Sequence, residues 1–570
     1  MFTKAFLYIK LLGFGLSASF ERLCIYISTY IHRLRYKSVP DPRNVVIIGG
    51  SFAGYFLAKR LAESLPTGYR VVLIDKHSHF HFTWNFPRAT VLAGQEHNAI
   101  IPYPDQGPRN VPVGAYVFKQ GSVIAIEPGK VILQDGTEIA YDYLAVATGS
   151  RSRYPARLDK DGDGDDKANC VRFFQEEQQR IVASKDIVIV GGGAAGVEVA
   201  SDIKSKYPQK SVTLVHSRDN LLNNFGAELH DIAKKALEEL GIKLYLGDRV
   251  IAGLEGDDSK QIKLRSGNVI QCDLVIRCTG QAANSALLKS FSPKSVSPSG
   301  SILVEKTLQI RDAPRNIFAL GDVIDLPGPK MGRPATMQGF LVAENILRAI
   351  RGDQKNRKRR KGTDADANKT ATADTSLPAV KLKEYTPTMV DSSIELTLGL
   401  VSFTVLTHSL PVSFPLHAPY TPYMRYMIHH ALQLSTTNVA VHLPPPSLEG
   451  GRAGLDLAII QGKSVMFISD GHKSTSIPRK MPDDALHAAQ MWKIMDATPY
   501  DDPSDKNKAA MATSTTTPTT ATATAAPAAA SSSLSLSSQT AELSPAAAAT
   551  AAAAAAAGVA GVGVPVAAKV

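Results

Sequence analysis

Cysteine is scarce: the 570 residues hold four, Cys24, Cys170, Cys272 and Cys278, and no two of them make a CxxC or CxxxxC pair. A zinc site and a disulfide framework both need closely spaced sulfurs, so neither is indicated. Long apolar runs are missing too. The longest uncharged stretch near the start, Leu11 to Phe20, falls short of the roughly 20 residues that cross a bilayer. Acidic residues are outnumbered, and the net charge is +11. Much of that excess sits in the first 37 residues and in the run from Lys355 to Lys361. A basic run in a linker is ordinarily a solvated segment, so overall charge is weak support for nucleic acid as a partner.

Residues 1–37 carry Lys4, Lys10, Arg22, Arg33, Arg35 and Lys37 against one acid, Glu21. Three readings stand: a cleaved mitochondrial presequence, a helix lying in a membrane interface, or a helix packed on the body of the protein. Phe2 excludes N-myristoylation, which needs glycine there. From about Lys508 the chain is mostly Ala, Thr, Ser and Pro. Such a segment buries too little apolar surface to offset its ordering entropy and is expected to be disordered. The stretch 352–378 reads likewise as a basic and polar insertion.

What is present is a pair of strand–glycine–helix patterns. Asn44 to Ile48 is an apolar run followed by Gly49-Gly50-Ser51-Phe52-Ala53-Gly54. Gly49 and Gly54 take the first and third places of a GxGxxG turn, which permit the tight turn and close helix–strand packing. Ser51 departs from glycine at the second place, which faces a pyrophosphate. Asp75 ends the next apolar run, 21 residues after Gly54, where a carboxylate accepts from an adenosine ribose. The second pattern is complete: Asp186 to Val190 leads into Gly191, Gly193 and Gly196, whose helix N-terminus suits a pyrophosphate. Twenty residues after Gly196 stands His216 rather than an acid, with Arg218 beyond it. NADPH is thereby permitted and NADH is not excluded.

Three further segments resemble the flavin disulfide-reductase-like superfamily: Tyr143 to Ser150 with its Ala147-Thr148-Gly149 turn, Asp273 to Gly280, and Asn316 to Asp322. The resemblance implies that Asp322, beside Gly321, holds the ribityl chain of FAD. It also implies that the helix bearing Gln338 aims its positive end at the flavin. Within the superfamily, Asp75-Lys76-His77 through Arg88 and on to Tyr103 is similar to the ferroptosis suppressor and apoptosis-inducing-factor-like, mitochondrion-associated oxidoreductases. That likeness implies FAD contacts at Lys76, Arg88 and Val123 and a nicotinamide-pocket role for Glu198. Glu198 also reads plainly as a helix N-terminal acid suited to the macrodipole.

The fold class expected is α/β, with two Rossmann-like dinucleotide-binding domains and a small α+β C-terminal domain. The FAD domain is split by the inserted NAD(P)H domain. The expected boundaries are 1–40 for the targeting or membrane-interface segment, 41–160 and 291–351 for the FAD domain, and 161–290 for the NAD(P)H domain. The C-terminal domain is expected over 379–502, with an atypical insertion at 400–461, ahead of a tail from 503 to 570.

Disulfide reductases of this superfamily place a cysteine pair shortly after the first acidic strand end, and His77 to Gln95 contains no cysteine. Electrons are therefore expected to pass from NADH or NADPH through FAD to an external acceptor. The resemblance implies a quinone at a membrane, mitochondrial or other, with the cytoplasm as the alternative location. A reductase of an iron–sulfur carrier and a slow signalling flavoprotein are the competing readings. No metal is expected. His77, His79 and His81, with Phe80, Phe82, Trp84 and Phe86, read as a pocket wall or as ordinary packing. The run from Asp159 imitates an EF-hand loop but ends in Cys170 where a bidentate acid belongs, and reads as an acidic loop.

Overall fold

The computed structural model describes residues 23–104, 107–151, 166–225, 227–254, 260–364, 380–387, 394–400, 463–469, 474–479 and 488–502, with positions 13, 17, 20, 391 and 505 besides. The insertion from residue 401, the EF-hand-like loop 159–165 and the tail from residue 507 lie outside these residues.

The N-terminal helix α1 spans residues 23–35. Strand β1 (Arg43–Ile48) follows, and its last four residues are fully enclosed. An unbroken apolar run of that kind suits the centre of a parallel sheet covered on both faces. Helix α2 (Phe52–Ala62) returns the chain to β2 (Tyr69–Asp75), which pairs in parallel with β1, Val45 opposite Val71. A short helix α3 (Phe86–Val91) precedes β3 (Tyr116–Gln120), the parallel neighbour of β2. Strand β4 (Tyr143–Val146) then crosses to the other side of β1, Val45 opposite Tyr143.

Here the chain leaves the first sheet. Helix α4 (Lys167–Ala183) leads to β5 (Asp186–Val190), α5 (Ala194–Lys206), β6 (Ser211–Val215), β7 (Lys243–Tyr245) and β8 (Leu274–Arg277). These four strands form a second parallel sheet in the order β7-β6-β5-β8. The chain then returns with β9 (Ile317–Ala319), which pairs with β4 and completes a five-stranded sheet in the order β9-β4-β1-β2-β3. The outgoing and returning connections pair with each other, Ser150 opposite Ala283 and Arg151 opposite Ala282. Each sheet reverses its strand order beside its first strand, between β1 and β4 and between β5 and β8. In doubly wound sheets that reversal, at the carboxyl ends of the strands, is where ligands bind.

Helix α6 (Gly332–Asp364) packs on the first unit and corrects one expectation. The polar insertion anticipated from residue 352 is helical as far as Asp364. Lys, Arg and Gln are good helix formers. Beyond it lies a three-stranded antiparallel sheet of β10 (Ile394–Leu398), β11 (Lys463–Ser469) and β12 (Ser474–Arg479). Leu398 stands opposite Lys463 in the β10–β11 ladder, so the two ends of the long intervening segment are neighbours. Helix α7 (Ala488–Ile494) buries Trp492 completely against the first unit, where its indole Nε1 donates to the Asn98 carbonyl at 3.1 Å.

Candidate active site

Both reversal points open into one cavity of about 410 Å³. Its wall combines Ser51, Phe52 and Gly149 from the first unit with Gly193, Glu198 and Gly280 from the second. Gly321 and Asp322 enter from the returning segment, and Ile394 and Thr397 from β10.

The two glycine turns have the same construction. Gly49 and Gly191 lie in the left-handed region, at φ +102° and +120°. A Cβ on Gly54 would collide with the Gly49 carbonyl oxygen, and one on Gly196 with that of Gly191. Any larger residue would therefore push helix from strand. Ser51 caps α2 at φ −78°, ψ −160°, and Gly193 caps α5 at φ −79°, ψ −177°. Both are ordinary extended conformations, which is why serine replaces the second glycine without backbone strain. The Ser51 hydroxyl oxygen is buried with no hydrogen-bond partner in the protein. A buried polar atom on a cavity wall, at the N-terminus of a helix, fits the phosphates of a dinucleotide.

At the end of β2 the Asp75 carboxylate accepts from the backbone N–H of Gly50 and, at 2.8 Å, from that of His77. Burial by itself raises the pKa of Asp75, but the His77 side chain and these backbone donors outweigh it and hold the acid below its usual value. The group is an ionised acceptor, as a ribose-binding carboxylate must be. Lys76 beside it is exposed, and its carbonyl accepts from Gln120 at 3.1 Å. In the second unit His216 occupies the corresponding place, its Nδ1 accepting from the Gly192 N–H at 3.0 Å. Burial lowers the pKa of this imidazole, and neighbouring Arg218, which is solvent-exposed, lowers it further.

Glu198, on the first turns of α5, faces the cavity. Its Oε1 accepts from both the N–H and the hydroxyl of Thr397, at 3.2 and 3.3 Å. Burial pushes its pKa up to about 8; Asp202 adds to the rise, while Thr397 and Arg88 oppose it. At neutral pH the carboxyl is therefore mostly protonated, able to donate as well as accept.

The returning segment is fixed by side chains from both connections. Ser150 and Gln281 donate to Asp322 Oδ2 at 3.1 and 3.2 Å, and Gln338 Oε1 accepts the Gly321 N–H at 2.8 Å. Thr148 Oγ1 donates to the Asn284 carbonyl at 2.7 Å, tying the two connections together. The N-terminal turn of α6 reaches the wall through Gly332, Arg333 and Ala335. Phe52 stacks on Trp84, with ring centroids 5.1 Å apart and planes 20° apart, and gives the cavity a flat apolar side.

Several sequence expectations land elsewhere. Arg88 is off the wall: α3 packs on α5 and directs its Nε to Asp202 Oδ2 at 2.8 Å, with 2% and 1% of the two side chains exposed. Val123 begins a separate antiparallel sheet and packs, partly buried, on the first unit's core. Of the histidine and aromatic cluster, only Trp84 lines the cavity. The rings of His77 and His81 lie 4.0 Å apart, tilted by 31°, and His79 pairs with Asp502 at 3.0 Å. Reasoning on sequence missed Thr397, Ser150 and Gln281. No local pattern marks a threonine that meets its partner 199 positions away. Cys278 lines the cavity as the lone cysteine there, and burial pushes its thiol up to about 12.

Comparison with known proteins agrees with this construction. Residues 43–339 match the model of the pyridine nucleotide-disulphide oxidoreductase family. The chain is 32% identical over 376 residues to Fe-regulated protein 8 of Mycosarcoma maydis, covering 63% of this chain and 87% of that protein. It is 30% identical over 321 residues to ferroptosis suppressor protein 1 of Homo sapiens, covering 54% of this chain and 81% of that one. Among solved structures, the sulfide:quinone oxidoreductase of Aquifex aeolicus superposes with a TM-score of 0.53 at 16% identity, over 82% of this chain and 94% of that chain. At that identity the likeness is one of fold.

Proposed function

We propose, from the premise that this chain belongs to the pyridine nucleotide-disulphide oxidoreductase family and is an FAD-dependent NAD(P)H oxidoreductase, that its electrons leave to a quinone-type acceptor at a membrane. The observation that carries the reading is one cavity walled by both glycine turns, with a flat aromatic side and a single cysteine. A disulfide acceptor needs two thiols at the flavin. Here the one present, Cys278, is held protonated by burial.

Bound flavin would supply the two-electron redox chemistry between reduced nicotinamide and the acceptor. The chain's part is to bind, orient and exclude water. Ser51 and the N-terminus of α2 would hold the FAD pyrophosphate, Asp75 the adenosine ribose and Asp322 the ribityl hydroxyls. The positive end of α6 favours negative charge at its mouth. Gly193 leaves the N-terminus of α5 open to the nicotinamide dinucleotide, since a Cβ there meets nothing within 4 Å. Glu198, protonated at neutral pH and held by Thr397, would orient the carboxamide. Phe52 and Trp84 would keep water from the ring faces and present a flat surface to a planar acceptor.

No described helix is long and apolar enough to cross a membrane; the association proposed is peripheral. The test is an absorption spectrum of the purified protein, followed by anaerobic titration with NADH and NADPH and then a water-soluble quinone. Bleaching of the flavin by nicotinamide and rapid recovery on quinone addition is the expected result. A flavin that is reduced but stays reduced with quinone would sink the acceptor assignment.

A further inference from the structure

Helix α1 has two opposite faces with different surroundings. Thr29, His32 and Tyr36, spaced three and four residues apart, turn inwards: Tyr36 Oη donates to the Tyr69 carbonyl at 2.9 Å, and His32 Nε2 meets the Leu65 carbonyl at 2.5 Å. The other face carries Leu23, Tyr26, Ile27, Tyr30, Ile31 and Leu34, all solvent-exposed, Tyr30 to 61% and Leu34 to 71%. With 3.6 residues to a turn these six fall within an arc of about 140°. Arg33 and Arg35 then stand roughly a quarter turn to either side of its centre. No acidic residue occurs between Arg22 and Lys37.

Single exposed apolar residues are common on protein surfaces, but a continuous strip of six is not. A strip edged by arginines on both sides has the charge and shape of a helix lying in a lipid headgroup layer. There the apolar side chains enter the acyl boundary while the guanidinium groups reach phosphates. We propose that this outer face of α1 is the membrane contact of the protein and that it selects surfaces rich in anionic lipid. The inference rests on the peripheral-membrane half of the proposed function and is independent of the acceptor's identity.

The seat of the helix adds a consequence. It docks on Leu65, Tyr69 and Gly114, at the amino ends of β2 and β3. The cavity opens at the carboxyl ends of the strands. The seven residues of β2 put roughly 20 Å between the two at about 3.3 Å per residue. The face is a tether, not a wall of the acceptor's route.

Flotation of the full-length, flavin-loaded protein with vesicles of phosphatidylcholine alone, and of phosphatidylcholine mixed with phosphatidylserine, tests this. Wild type and the control Ile251→Asp, which changes a residue 55% exposed on the second unit, should float with the mixed vesicles. The triple variant Ile27→Asp/Tyr30→Asp/Leu34→Asp should lose that binding, with flavin content and turnover of a water-soluble quinone unchanged. Arg33→Ala/Arg35→Ala should weaken it on the order of tenfold, an effect mimicked by added salt. Flotation of the triple variant like wild type overturns the proposal, as does wild type that floats with neither vesicle. A wild-type dimer that the triple variant dissociates, without vesicle binding, overturns it in favour of self-association. Failure of quinone turnover with vesicle binding intact would strike the acceptor assignment alone.

Discussion

The backbone N–H and the hydroxyl of Thr397 converge on a single oxygen, Oε1, of Glu198. A strand from the C-terminal sheet thus completes a cavity wall begun 199 residues earlier. Both donors favour the ionised carboxyl, yet burial prevails and the group titrates at about 8.

The first prediction follows from that balance. As pH rises through about 8, Glu198 loses its proton and with it the ability to donate, so NAD(P)H affinity should fall. Glu198→Gln should flatten this dependence, while Thr397→Val removes one donor to the anion and should move the midpoint to higher pH. The folded-state pKa lies above the usual value of a free glutamate, so this group also makes the fold more stable at low pH. That contribution is complete below the unfolded pKa of about 4.3 and is lost as pH rises towards 8. Binding titrations between pH 6 and 9.5 would check the midpoint, and a wild-type profile as flat as that of Glu198→Gln would contradict it.

Arg88 and Asp202 join α3 of the first unit to α5 of the second at 2.8 Å, deeply buried. Removing one partner strands a charge, at a cost of about 3–5 kcal/mol. Arg88→Ala should therefore lower the thermal midpoint sharply, whereas Arg88→Met/Asp202→Leu should recover much of the loss. Equal melting of Arg88→Ala and wild type would show that the pair contributes nothing.

Where an adenosine-ribose acid is usual, the second unit has a histidine whose pKa is lowered by burial, with exposed Arg218 two residues on. Arg218 can pair with a 2′-phosphate, and a hydrogen bond to a charged group contributes about 1.5–3 kcal/mol. Arg218→Ala should raise KM for NADPH by about tenfold or more and leave that for NADH nearly unchanged. Parallel steady-state kinetics with the two donors decide it, and equal losses would refute a phosphate role.

Burial holds the Cys278 thiol near 12, and the thiolate is the reactive form. At pH 7.5 it should resist alkylation, while exposed Cys24 reacts first; peptide mass spectrometry reads both. Cys278→Ser should retain quinone turnover. Its loss with flavin content intact would point to a thiol in the electron route after all.

Leu398 and Lys463 face each other across β10 and β11, so a short turn could join them. Loop length carries only a logarithmic entropic cost. Deleting residues 401–461 should leave a protein that binds flavin and melts within a few degrees of wild type. A colourless or insoluble product would show that the segment is integral to the fold.

The two nucleotide-binding units were legible in the sequence because their determinants are local. Gly49, Gly54, Gly191 and Gly196 answer to sterics within a single turn, and runs such as Val45 to Ile48 announce a covered parallel strand. Asp75 could be placed by counting from those glycines, whereas the reading of Glu198 came from the family resemblance. Tertiary structure alone decided which groups meet across the chain: that Thr397 holds Glu198, that Arg88 turns to Asp202, and that His79 pairs with Asp502 instead of lining the cavity. It also decided that only one face of α1 is covered. Helical spacing marks a face, but what lies against it depends on strands whose packing no neighbouring residue encodes.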